Sequence, residues 1–213
     1  MIADKMVSSL RETAQLTHHA TADASALVTA KERFDRSGQK TSIEDLAMFA
    51  VIRTLVDFQE LNARLEQGAI NTSRPVHLCV AIGLPNNLLV APAIFDAQSL
   101  SLAELRAARQ DLAARARTNG LSVREMTGGT FTISNLGLTR VEHFTPILNA
   151  PQVAILGLGR MVEKPVKDQE GKIAFVPHIG LSLTFDHRAV DGAPAAAFLT
   201  AVCERLESSQ TFA

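Results

Sequence analysis

Ile179-Gly180-Leu181-Ser182-Leu183-Thr184-Phe185-Asp186-His187-Arg188-Ala189-Val190-Asp191-Gly192 places large apolar side chains at every second position and then breaks into charge. That alternation is the period of a strand packed on one face, so the strand delivers Asp186, His187 and Arg188 to its end. Pro194 then opens a helix in which Ala197, Phe198, Ala201 and Val202 make an apolar stripe. An imidazole at such a strand end can take a proton near neutral pH. Asp191, four residues on, is close enough for the turn to bring its carboxylate to the imidazole or to an arginine that orients the loop, and Gly192 permits a turn before the helix. A salt-bridged surface turn is the competing reading of the same residues.

Upstream, the strand has company. Residues 130–134, 153–158, 162–166 and 172–176 read as further strands, with a polar turn at 167–171. Residues 76–82 and 88–94 are β-rich runs joined by Gly83-Leu84-Pro85-Asn86-Asn87, which predicts a hairpin. Between them lie helices. Ser42-Ile43-Glu44-Asp45 and Ser101-Leu102-Ala103-Glu104 both carry a capping serine with an acid three residues later. The first introduces an apolar helix through Leu46, Phe49, Leu55 and Val56, and the second an arginine-rich helix stopping at Asn119-Gly120 whose arginines read as a solvated face. Ile2, Met6, Leu10 and Ala14 predict an amphipathic first helix ending before Thr17, followed by a strand or short helix over 26–30 and a break at Ser37-Gly38. Helices and strands mix without strict alternation, which points to a sheet layered by helices rather than a doubly wound fold.

The chain has 213 residues, 46% of them apolar, enough for one sizeable core, and residues 1–213 read as a single domain. Twenty-one basic against 22 acidic residues give a net charge of −1, so no global field draws the chain to nucleic acid or anionic membrane. Cys79 and Cys203 lie among apolar neighbours as small hydrophobes do, which argues against a disulfide framework and a metal cluster. No apolar run nears the roughly 20 residues that span a bilayer, and no signal-peptide layout opens the chain. A cytoplasmic location, or the mitochondrial matrix in a eukaryote, is expected. His18, His19, His77, His143 and His178 show no ligand spacing, and Leu156-Gly157-Leu158-Gly159 lacks the third glycine and helix of a dinucleotide site.

A second constellation is Gly128-Gly129-Thr130-Phe131-Thr132-Ile133-Ser134-Asn135-Leu136-Gly137. Its glycines permit close approach of another backbone, and its end presents a hydroxyl and an amide. Ser134 lacks the spacing of a nucleophile elbow, so a hydroxyl that donates to an oxyanion fits better than a nucleophile.

Taken with residues 144–157 (Phe-Thr-Pro-Ile-Leu-Asn-Ala-Pro-Gln-Val-Ala-Ile-Leu-Gly), 2–10 and 99–105, these two segments resemble, in order and spacing, the catalytic domain of 2-oxoacid dehydrogenase acyltransferases over nearly the whole chain. The resemblance implies an α/β two-layer fold similar to chloramphenicol acetyltransferase, with a mixed sheet covered by helices. It also implies a homotrimer with active sites between subunits, and a cubic or dodecahedral core. It assigns His187 as the base, Asp191 as its companion acid and Ser134 as the oxyanion donor. The substrates would be coenzyme A, expected near Ser134 and Asn135, and a lipoyl group on a domain not read in this chain, with no metal. No peripheral subunit-binding domain is read either. The Ser-Asn-Leu-Gly and Phe-Thr-Pro-Ile segments look more like acetyl-transferring members. Where the family has a glycine before its Val-x-Pro strand, Asn87-Leu88 stand here, and Asn tolerates the turn. An inactive structural core and an O-acetyltransferase of the same fold are the rival readings.

Overall fold

In the computed structural model, residues 2–167 and 170–212 are described. They form α1 (Ile2–Glu12), β1 (Gln15–Asp23), α2 (Ser25–Arg36), α3 (Ile43–Asp57), β2 (Ala63–Glu66), β3 (Ala69–Thr72), β4 (Leu78–Val80), β5 (Ile82–Leu84), β6 (Leu88–Val90) and β7 (Ala93–Ile94). There follow α4 (Leu102–Arg117), α5 (Val123–Thr127), β8 (Phe131–Asn135), β9 (Ala154–Lys167), β10 (Ile173–Asp186) and α6 (Gly192–Glu207). Six strands make one mixed sheet in the order β1-β10-β9-β8-β4-β7; β2-β3 and β5-β6 are separate ribbons.

The period-two pattern divides the sheet into two unlike faces. Phe131, Ile133, Leu156, Leu158, Leu181, Leu183 and Phe185 are buried in the core with Leu27, Leu46, Ile52 and Phe198 from the helices. The other face is small and polar, with Thr132, Ser134, Gly157, Gly159, Gly180, Ser182 and Thr184. It is crossed by the irregular segment 136–150. A Cβ on Gly159 or Gly180 would collide with the carbonyl oxygen of Glu142, so the segment lies directly on the sheet. The glycines of 156–159 serve this packing.

Several expectations change. The strands read at 153–158 and 162–166 are one strand, β9, and those at 172–176 and 179–185 are one strand, β10, with a register shift between Ile179 and Leu181. Of the polar turn between them, Asp168 and Gln169 lie outside the described residues. His18 and His19 belong to β1, which pairs antiparallel with β10 from Gln15↔Asp186 to Asp23↔His178. That ladder takes the chain immediately after the first helix. Residues 26–30 lie inside α2, whose Leu27 and Ala30 are buried at helical spacing. α1 ends at Glu12, leaving Ala14 outside, and turns in Met6 and Ser9 rather than Leu10, because Ser9 Oγ donates to Leu148 O at 2.7 Å; the Ile2 side chain lies outside the described residues. The 76–94 hairpin is present but split: β4 pairs with β7 in the main sheet, and β5 with β6 outside it. Asn86, at φ 61°, takes the left-handed position of that turn.

Arg106 and Arg109 of α4 do not belong to a solvated face. Arg109 Nε and Arg106 Nη1 reach the fully buried Asp45 at 2.6 and 3.0 Å, and Arg109 also reaches Glu44 at 3.1 Å, tying α4 to the start of α3. Asp45 is at the same time the third residue of a capping box with Ser42. Burial alone would raise its pKa, but Arg109, Ser42 and Arg106 hold it below the ordinary carboxylate value. Arg115 forms another pair, with Glu125 of a third capping box opened by Ser122.

Candidate active site

β10 ends at Asp186, and the next residues turn sharply into α6. The turn is fastened by Asp186, whose carboxylate receives Arg188 Nε at 2.9 Å, Arg188 Nη2 at 2.5 Å and the backbone N–H groups of Ala14 and Arg188 at 3.2 and 3.1 Å. Burial would raise its pKa, but the hydrogen bonds from Arg188 and Ala14 outweigh this and keep it ionised. The arginine that orients the loop is therefore Arg188, and its acid is Asp186 rather than Asp191.

His187, between the two, donates its backbone N–H to Ala14 O at 2.9 Å and sets its ring 5.8 Å from that of Phe185. Its side chain is 45% exposed, which leaves the ring open to a substrate or a neighbouring subunit. Asp191 occupies the N-cap position of α6 with extended backbone, yet its side chain makes no capping hydrogen bond. Instead the carboxylate stands 3.6 Å from His187 Nδ1, beside the ring but beyond a hydrogen bond. Gly192 is the first helical residue, and no positive φ demands a glycine there.

Ser134 sits near the end of β8 on the small polar face, and among the described residues its hydroxyl has no hydrogen-bond partner. It opens into a cavity of about 310 Å³ walled by Met6, Leu89, Met126, Phe144 and Ile155. Gly129 explains how β8 comes so close to β4, because a Cβ there would overlap Cys79 Sγ. Asn135 points to the opposite side, where its Oδ1 accepts from Gly137 N at 2.8 Å. That side is a second cavity, of about 500 Å³, lined in part by Lys31, Ser42, Arg109 and Leu138. Lys5, Thr132 and Asn149 also line the Ser134 cavity, and no motif in the sequence singles them out.

One chain does not bring Ser134 to His187. Ser134, Gly157 and Ser182 are register partners across β8, β9 and β10, and His187 lies five residues beyond Ser182. At about 3.3 Å per residue and about 4.8 Å per strand, roughly 19 Å separates the two. Each is open on its own side of the molecule. Among the described residues no group of three or more His, Cys, Asp or Glu is placed to hold a metal ion, and no helix is long and apolar enough to cross a membrane.

Comparison with known proteins gives this geometry its context. The family model described as 2-oxoacid dehydrogenases acyltransferase (catalytic domain) matches residues 1–213. The acetyltransferase component of the acetoin cleaving system of Bacillus subtilis is 42% identical over 212 residues, covering 97% of this chain and 53% of that protein. The chain thus spans about half the length of that curated relative. Two solved structures superpose with a TM-score of 0.89 at 30% identity, covering 99% of this chain and 88% of theirs. One is the cubic core of a pyruvate dehydrogenase multienzyme complex. The other is the dihydrolipoamide acetyltransferase of Azotobacter vinelandii, studied for the role of a serine, a histidine 52 residues later and an asparagine four beyond in its catalytic mechanism. Chloramphenicol acetyltransferase follows with a TM-score of 0.61 at 16% identity, covering 94% of this chain and 92% of its own, a likeness of fold. The six-stranded mixed sheet layered by helices is that fold, and the chain belongs to the family of 2-oxoacid dehydrogenase acyltransferase catalytic domains.

Proposed function

We propose that this chain is the single catalytic domain, residues 1–213, of a dihydrolipoamide acyltransferase that moves an acetyl group between dihydrolipoamide and coenzyme A. The lipoyl group would arrive on a separate domain, within a 2-oxoacid dehydrogenase-type complex in the cytoplasm or the mitochondrial matrix. The observation that carries the reading is a split constellation. His187 with Asp191, and Ser134 with its unpartnered hydroxyl, stand too far apart to act together in one chain, yet both are open. A closed ring of copies brings the His187 face of one subunit to the Ser134 cavity of the next, which a homotrimer does, alone or within a larger cubic or dodecahedral core. The spacing supports it: His187 lies 53 residues after Ser134 and Asp191 four after His187, beside 52 and four for the serine, histidine and asparagine studied in Azotobacter.

In the shared site His187 takes the proton of the attacking thiol, which is mostly protonated at neutral pH. The thiolate adds to the thioester carbonyl, and Ser134 donates to the oxygen as it becomes negative. Collapse of the tetrahedral adduct expels the second sulfur, which recovers the proton from the imidazolium. Asp191 stabilises that cation. No covalent bond to the protein is required, and the same groups serve both directions. Coenzyme A would approach near Ser134 and Asn135, while the apolar cavity at Ser134 suits the hydrocarbon of a lipoyl arm. An acetyl preference follows the acetyl-transferring relative and rests on few side chains, since one methylene is worth only about 1–3 kcal/mol of discrimination.

The test is thioester exchange between acetyl-CoA and free dihydrolipoamide with His187→Ala and Ser134→Ala variants, alone and co-assembled. Each variant alone is expected to lose about 10²-fold or more, and random mixed rings to recover roughly a quarter of parental activity, because one interface in four combines intact partners. Absence of recovery in verified mixed rings would sink the shared site, and an inactive but assembled parent would favour an inactive structural core.

A further inference from the structure

The Ser134 cavity is hydrocarbon on most of its wall, with a polar chain along the rest. Lys5 Nζ donates to Asn149 Oδ1 at 2.5 Å, Asn149 Nδ2 to Thr132 Oγ1 at 3.4 Å, and Thr132 Oγ1 to the buried Gln152 Oε1 at 2.5 Å. Gln152 in turn donates to Cys79 Sγ at 3.3 Å. The chain is anchored at its buried end and finishes in a cation at its open end. An ammonium has three N–H bonds, and Asn149 occupies one. Among the described residues no carboxylate pairs with Lys5.

We propose that Lys5, oriented by Asn149, is a subsite for the amide carbonyl at the far end of the lipoyl arm, an inference that rests on the acyltransfer reading above. Thr132 and Ser134 are two residues apart on the same face of β8, about 7 Å along the strand. Adding the two hydrogen-bond steps puts the ammonium within about 15 Å of the Ser134 hydroxyl, a span that an extended arm can bridge. In an extended dihydrolipoamide the terminal, acyl-bearing sulfur and the amide carbonyl are separated by seven carbons, roughly 10 Å. With the thioester carbonyl at Ser134, the hydrocarbon runs past Met6 and Met126 and the amide arrives at Lys5. The pantetheine arm of coenzyme A fits this wall less well, because its first amide lies only two carbons from its sulfur, where the wall is apolar and leaves it unpaired.

Binding separates the two thiols. Dihydrolipoamide, dihydrolipoate and coenzyme A are titrated calorimetrically into the assembled parent, Lys5→Met, Lys5→Arg and Asn149→Ala. Methionine keeps the length and helix preference of lysine without its charge. Lys5→Met is expected to weaken dihydrolipoamide about tenfold and dihydrolipoate, whose carboxylate replaces the amide, more strongly, with coenzyme A changed less than twofold. Lys5→Arg should restore most of the loss, and Asn149→Ala should reproduce part of it even if Lys5→Met fails to assemble. Unchanged dithiol affinity in both Lys5→Met and Asn149→Ala overturns the subsite, and a loss confined to coenzyme A reassigns the cation to the other thiol. Because the readout is affinity, a parent that fails to transfer acetyl groups would sink the function reading without deciding this one.

Discussion

Asp45 and Asp186 are both buried carboxylates gripped by arginine, and they serve different ends. Asp45 is fully buried beneath two guanidinium groups and joins two helices deep in the helical layer. Asp186 is equally buried, but its single arginine is half-exposed, and its remaining bonds come from the backbone N–H groups of Arg188, next to His187, and of Ala14, whose carbonyl receives the His187 N–H. The first pair fixes how elements pack; the second fixes where one imidazole stands. A depressed carboxylate pKa is common to both, so it marks a clamp and not by itself a catalytic group. What tells them apart is the backbone each one holds.

Breaking the pairs should pull stability and activity apart. Asp45→Ala leaves two guanidinium groups without their buried partner and should cost about 3–5 kcal/mol of folding free energy, read as a fall in the denaturation midpoint. Activity per folded molecule should stay near parental. An activity loss exceeding the loss of folded protein would mean the α3–α4 clamp reaches the site. Asp186→Asn keeps shape and some hydrogen bonding but removes the charge that grips Arg188. It should lower acyl transfer about 10²-fold through displacement of His187, with a smaller change in denaturation midpoint. Equal losses in both readouts would erase the distinction. The partly exposed pair Arg115–Glu125 sharpens the comparison from the other side. Its Arg115 hydrogen bonds hold Glu125 down to about 2, below its ordinary value. A carboxylate with a depressed folded pKa adds stability that is complete above about 4.5 and lost as pH falls through that window toward 2. Glu125→Gln should therefore shift the melting temperature by no more than about 2 °C at pH 7, and by less at pH 3. A larger shift would show that exposure does not weaken such a pair here.

Much of this was legible in the chain. Alternation over 179–185 gave a strand end with His187 on it, and the serine–acid pairs at Ser42 and Ser101 gave two helix starts, because both signals are local. β1 was not legible: its His and Thr residues lie on a sheet edge, and only the distant β10 makes them a strand. The arginines of α4 misled for the same reason, since their acids lie some 60 residues away, at Asp45. Ser134 and His187 could be named from motifs, but their separation of roughly 19 Å depends on strand register, which periodicity does not supply. Lys5 and Asn149 carry no local signal, and only the cavity joins them to Ser134.

The glycines beneath the crossing segment bear on how this protein would look to a mutational survey. Gly159 and Gly180 offer no functional group, yet every other residue would push the Glu142 carbonyl off the sheet. A saturation scan scored by growth alone would rank both beside His187 as intolerant and invite an enzymological reading. Scoring abundance in parallel would separate them, since the glycine variants should vanish from the soluble pool while His187 variants accumulate silent.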